Sequence, residues 1–152
     1  MADNKELGII TSGSLVEGLQ MRLNSHRSIE EVKAGKFVVV SGQYHQFFSL
    51  ITDVSLDSSS PNILINPPSK DEQLLRQVLA GTNTYGTVEL KPMLMLTHDD
   101  EELRPVKTIP PHFSPVSDAT QRDVSTVFGK EDKQGKFFNV GCPLDMDIPV
   151  CI

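Results

Sequence analysis

The feature that most constrains the fold is a succession of short alternating segments in the first third of the chain, each ended by turn residues. "LGIIT" is followed by "SGS". "LVEGLQMRLN" places Leu15, Leu19, Met21 and Leu23 on one face, which Glu17 interrupts. "SIEEVKAGKFVVVSG" opens with Ser28 three residues before Glu31, a capping-box spacing that predicts one helical turn before Gly35 reverses the chain into a strand at Phe37 to Val40. "SGQ" then reads as a hairpin turn into "YHQFFSLITDVSL". There Phe48, Leu50, Val54 and Leu56 alternate with Phe47, Ser49, Asp53 and Ser55. About four strands on turn spacings of roughly 8–12 residues predict an antiparallel β-barrel or sandwich.

The middle of the chain changes period. "PPSKDEQLLRQVLAG" predicts a helix, with a Ser69/Glu72 capping box, an apolar face of Leu74, Leu75, Val78 and Leu79, and Gly81 as its stop. "YGTVELKPMLMLT" returns to alternation, with Val88, Leu90, Leu94 and Leu96 on one face. Pro92 has no N–H to donate, which places that strand at an edge or bends it. Residues 99–117 read as an acidic, Pro-rich connection, and a second helix is predicted from Asp118 to Phe128, ending at Gly129. "KEDKQGK" reads as a solvated loop.

The last segment, "FNVGCPLDMDIPVCI", alternates throughout, with Phe138, Val140, Cys142, Leu144, Met146, Ile148, Val150 and Ile152 in phase. As one strand it would extend ~50 Å at ~3.3 Å per residue, against a usual ~17–20 Å, so a break is expected near Gly141-Cys142-Pro143. Pro143 and Pro149 share parity, so both missing donors fall on one edge, which cannot carry a full ladder. The expected fold is mainly β: a small closed or partly open barrel of about six strands, with two short helices inserted between the later strands. The expected organisation is a single domain over 1–152, with a helical, Pro-rich insertion at about 66–136 and an exit strand at about 137–152.

Composition narrows function more than it defines it. At 152 residues and 38% hydrophobic the chain supports one core of ordinary size. With 14 Lys+Arg against 20 Asp+Glu the net charge is -6, which disfavours strong nucleic-acid binding by this chain alone. There is no apolar run of about 18 residues, and "MADNKELG" has neither a basic nor an apolar targeting region. Two cysteines and no glycosylation sequon give no sign of a secreted disulfide scaffold. A cytoplasmic protein without membrane association is expected.

No motif carries chemistry. In "GKEDKQGK" the glycines Gly129 and Gly135 are one residue too far apart for a P-loop, and Phe137 stands where a hydroxyl would hold magnesium. Gly13 and Gly18 have the right gap, but Leu19 and Gln20 follow instead of the lysine. "HDDEE" at 98–102 offers metal-binding side chains, yet consecutive loop residues do not converge on one point, and such runs are solvated. His26, His45, His98 and His112 lack metal spacing. Cys142 falls on the apolar face and reads as a small core residue, whereas Cys151 falls on the opposite face and reads as exposed. A hydrolase built on Cys151 or the His98 loop needs a constellation that the sequence does not display. Tyr44, Phe47 and Phe48 form an aromatic group in a segment without Lys or Arg, which fits core and subunit contact better than single-strand stacking. Phe47, Phe48, Pro143 and Pro149 are the candidate interface residues; no catalytic, metal or cofactor-binding residue is assigned.

"GIITSGSLVEGLQMRL", "SIEEVKAGKFVVVSG" with "FFSLITDVSL", and "VGCPLDMDIPVCI" resemble the N-terminal HAS barrel, named for HerA and ATP synthase, of HerA-type hexameric DNA translocases. The resemblance implies a non-catalytic module preceding a RecA-like P-loop ATPase. In such proteins the barrel helps to assemble the hexameric ring and docks a partner nuclease. The ATPase core, which binds ATP and magnesium, drives duplex DNA during end processing and repair. The chain is then expected to be a barrel cut before its motor. The alternative expectation is a free-standing small barrel that binds nucleic acid or peptide.

Overall fold

The computed structural model describes residues 6–82, 84–97, 100–129, 138–143, 147 and 149–151. The chain opens with the antiparallel hairpin of β1 (Glu6–Ser14) and β2 (Gly18–Leu23). Leu7 and Ile10 from β1, and Leu19, Met21 and Leu23 from β2, are buried as the alternation requires. The turn lies later than "SGS": those residues extend β1, and Ser14 Oγ accepts a hydrogen bond from Glu17 N at 3.0 Å. Leu15 therefore leaves the face of Leu19 and is exposed in the turn. Gly18 closes it with φ +103, and a Cβ there would stand 2.7 Å from the carbonyl oxygen of Leu90 on a facing strand. Only glycine meets both conditions.

Ser28 caps a 3-10 turn over Ile29–Glu31, accepting a hydrogen bond from Glu30 N at 3.3 Å. β3 (Phe37–Ser41) follows and pairs with β4 (His45–Ser58). β4 next pairs along its whole length with β5 (Thr84–Thr97). Two bulges interrupt this ladder, with Thr52 the extra residue in β4 and Met93 the extra residue in β5. Each bulge inverts the inside and outside of the following residues. Phe47, Ser49 and Ile51 are consequently buried on the barrel side, while Val54, of opposite parity, packs on the same cluster beyond the bulge. The single alternating face expected for Phe48, Leu50, Val54 and Leu56 is thus broken, and Leu56 is exposed. Likewise Val88, Leu90 and Met95 point inward, whereas Leu94 packs outside.

Pro92 sits where the strand changes neighbour. β5 pairs β2 through Thr87 to Leu90, and pairs β6 (Asp100–Pro105) through Leu94 to Thr97. The missing donor falls at the register break between the two partners. β6 and β7 (Pro115–Asp118) occupy the stretch expected to be a Pro-rich connection. β7 lies between β1 and β3, giving the order β2-β1-β7-β3-β4-β5, and the β2–β5 pairing closes it into a six-stranded antiparallel barrel with β6 as an additional strand. Residues 66–136 are consequently not one insertion, because β5 and β7 within them are barrel strands. The helical excursion between β4 and β5 is confined to α1 (Pro61–Ile65) and α2 (Gln73–Thr82), and α2 runs through Gly81 rather than stopping there.

The core has two parts. Leu19, Met21, Val38, Val40, Phe47, Ile51, Val88, Leu90 and Val116 fill the barrel, none more than 2% exposed. A second cluster lies on the outer face of β3 and β4, where Val39 and Phe48 meet Ala119 and Val124, with Phe37, Phe128 and Val150 packed against them. It is covered by α3 (Gln121–Phe128), whose first turn carries a reciprocal capping box between Thr120 and Asp123. The helix starts three residues after the predicted Asp118, because 115–118 are drawn into the sheet. The terminal segment breaks as expected into β8 (Asn139–Gly141) and β9 (Val150–Cys151), which pair with each other.

Candidate interaction surface

Two of the four candidate interface residues belong to the interior. Phe47 is 1% exposed inside the barrel and Phe48 is 2% exposed beneath α3, so neither offers surface to a partner or a nucleobase. Pro143 and Pro149 are half-buried around the β8–β9 pair, and the structure does not bring them together with the two phenylalanines in one patch. The cysteine assignments reverse: Cys142 is exposed and Cys151 is 3% exposed. The break after Gly141 explains this, since it takes Cys142 out of the ladder while β9 turns Cys151 inward.

His26 and His112 are exposed, and His45 is half-buried with Nδ1 at 3.2 Å from Thr97 Oγ1. His98 and the loop 130–137 lie outside the described residues. Among the described residues no group of three or more His, Cys, Asp or Glu side chains is placed to hold a metal ion. No described helix is long and apolar enough to cross a membrane.

The surface with most to offer a partner is built by α1, α2 and the barrel wall beneath them. Pro61 at the first position of α1 suits a helix start, as its absent N–H has no intrahelical acceptor there. α1 ends by exposing Leu64 and Ile65. Ahead of α2, Ser69 N and Oγ both donate to the Glu72 carboxylate, at 3.0 and 3.2 Å, in a turn that precedes the helix start at Gln73. Leu79 is partly covered, but Leu74, Leu75 and Val78 on the expected apolar face are exposed. A stripe that predicts burial therefore lies open on this chain.

Between α1 and the barrel runs a groove of about 730 Å³, walled by Leu23, Ile29, Leu56 and Leu64, with Arg22 and Tyr85 on its floor strands. The Arg22 guanidinium carbon stands 4.1 Å from the centroid of the Tyr85 ring, a cation–π stack that holds the side chain in place. A second hollow of about 380 Å³, lined by Ile63, Pro67, Pro68, Arg76 and Leu79, shares Leu64 and Thr84 with the first. Arg76 spans its edge, donating from Nε and an Nη to the Pro68 carbonyl at 3.2 and 3.1 Å. Sequence reasoning reached the α2 face but not Arg22 and Tyr85, because they become neighbours only when β2 pairs with β5.

The opposite end of the barrel holds a cavity of about 420 Å³ above Ile10, Leu19 and Phe47, rimmed by Tyr44, Pro110, Pro111 and His112. Beside it Phe113 is 70% exposed and has φ +65, an uncommon conformation for a bulky residue. It is pinned by hydrogen bonds on both sides: Phe113 N donates to Ile10 O at 2.7 Å, and Ile10 N to Ser114 O at 3.0 Å.

No curated protein matches the chain. The family model described as the HAS barrel domain matches residues 7–109, a span that includes β2 to β6 and all of β1 but Glu6, and leaves β7 outside. The match covers most of the chain and coincides with a closed antiparallel barrel, and the chain belongs to the HAS barrel domain family.

Proposed function

We propose that this barrel is a non-catalytic module of a HerA-like, ATP-driven DNA translocase or helicase of end processing or repair, serving subunit assembly and partner docking. The observation that carries the reading is the family match over residues 7–109. It is supported by a barrel interior filled with apolar side chains. In this reading ATP and magnesium belong to a RecA-like ATPase domain of the parent protein, and the barrel supplies none of their ligands. The parent works in the cytoplasm as a homo-oligomeric ring, a hexamer by family resemblance, with a nuclease as partner. The barrel alone does not hold DNA strongly, since its net charge of -6 opposes a polyanion.

Burial of Phe47 and Phe48, two of the three residues of its aromatic group, weighs against the nucleic-acid form of the free-standing alternative. Its peptide form keeps the open groove and differs from the leading reading only in lacking a motor. The test compares the complete product of the source gene with a version lacking residues 1–152. The expected result is DNA-stimulated ATP hydrolysis by the complete protein and loss of ring assembly, read by native mass spectrometry, without the barrel. Appreciable ATP turnover by the pure 152-residue chain, or a source gene that encodes no P-loop ATPase, would overturn the reading.

A further inference from the structure

We infer that the α1–α2 groove receives an acidic, amphipathic helical segment of a partner protein. The inference deepens the docking role proposed above and rests on it.

The backbone narrows the mode of binding. β2 and β5, which form part of the wall under the groove, are paired with each other from Leu19–Leu90 to Arg22–Thr87, so over that stretch the strands offer no free edge for β-strand addition. Recognition there runs through side chains, and the apolar ones are unusually open. Leu56 is 82% exposed and Leu64 66% exposed at the groove itself, with Leu74 and Val78 exposed on the neighbouring helix. An amphipathic helix covers such a surface with residues at i, i+3, i+4 and i+7.

The charge pattern sets the sign of the partner. The whole chain has 14 Lys+Arg against 20 Asp+Glu, yet the charged residues lining the two joined hollows are Arg22, Arg27, Arg76 and Asp57. Arg27 is already matched, with Glu31 at 3.2 Å and Asp118 at 3.9 Å. Arg22 stacks on Tyr85 and Arg76 donates to a neutral carbonyl; among the described residues neither forms an ion pair with a carboxylate. Two placed guanidiniums at the edge of an apolar hollow suit carboxylates, which they can engage bidentately, and repel a basic segment. The local sign is thus opposite to that of the chain.

The experiment uses the full 152-residue chain and two labelled helical peptides of the same leucine pattern, one with glutamates on the polar face and one with lysines. Fluorescence anisotropy is expected to show saturable binding of the glutamate peptide, and binding of the lysine peptide weaker by at least ~tenfold. The Arg22→Gln/Arg76→Gln and Leu64→Ser variants are each expected to weaken glutamate-peptide binding by about tenfold or more. Arg76→Gln alone carries the test should Arg22→Gln unfold the barrel, which circular dichroism reports. Equal binding of both peptides, binding of neither, or glutamate-peptide binding unchanged in Arg76→Gln and Leu64→Ser would overturn the inference. So would sedimentation showing a dimer of the chain that Leu64→Ser dissociates, since the occupant would then be a second copy. None of these outcomes bears on ring assembly by the complete gene product, so failure here is separable from failure of the proposed function.

Discussion

Phe37 and Phe48 stack across the outer face of the barrel, their ring centroids 4.9 Å apart and the planes 26° from parallel. They come from adjacent antiparallel strands, and Phe128 of α3 completes the group at 5.5 Å from Phe37 and 6.1 Å from Phe48. The contact is the seam that binds the helix to the closed barrel. It buries Phe48 and leaves Phe37 and Phe128 half-buried.

The seam should be costly to open. Phe48→Ala removes a fully buried ring from between two aromatic neighbours and is expected to destabilise the chain by about 3–5 kcal/mol. Urea denaturation should show a lower midpoint at similar slope. Tyr44→Ala, at a residue 68% exposed in the β3–β4 turn, should stay within about 0.5 kcal/mol of wild type. Equal effects of the two changes would contradict the burial pattern.

Gly18 is a position where barrel closure leaves no room for a side chain. Alanine there meets an unfavourable φ of +103 and a carbonyl 2.7 Å from its Cβ. The expected loss is about 1–3 kcal/mol by thermal or chemical unfolding. A Gly18→Ala protein as stable as wild type would show that the β1–β2 turn and β5 do not approach as described.

The capping box of α3 is a smaller, separable term. Thr120→Ala deletes the acceptor for Asp123 N and leaves the first turn with an unsatisfied donor. About 1 kcal/mol of stability should be lost. Thr120→Ser, which keeps the hydroxyl, should recover most of it, and a denaturation series of the three proteins measures the difference.

The two cysteines should separate cleanly by access. A thiol reagent is expected to modify Cys142 quickly in the native protein and Cys151 only on unfolding, with the site read by peptide mass spectrometry. Labelling of Cys151 at the rate of Cys142 would place β9 off the surface of α3.

Much of the local structure was legible from the chain. The strands of the first third, the Ser28 start and the break after Gly141 follow from alternation, capping spacing and Gly-Pro placement, all set by residues a few positions apart. The parity of β4 and β5 was not, because a bulge is specified by the ladder opposite it and inverts every face beyond. β6 and β7 were hidden for a related reason: their short, charged or Pro-bearing sequences acquire strand character only by adding to edges already formed. The open α2 face looked in sequence like any core helix. Periodicity reports that a face is apolar and says nothing of what covers it.

The amino-acid sequence by itself determined a mainly β fold of short antiparallel strands, a barrel or a sandwich, because alternation and turn residues are one-dimensional properties. The tertiary structure alone decided which aromatic residues are interior, which cysteine is buried, and that Arg22 stacks on Tyr85 beside an uncovered apolar groove. Those relationships join residues tens of positions apart, and they exist only once β2 has paired with β5 and the barrel has closed.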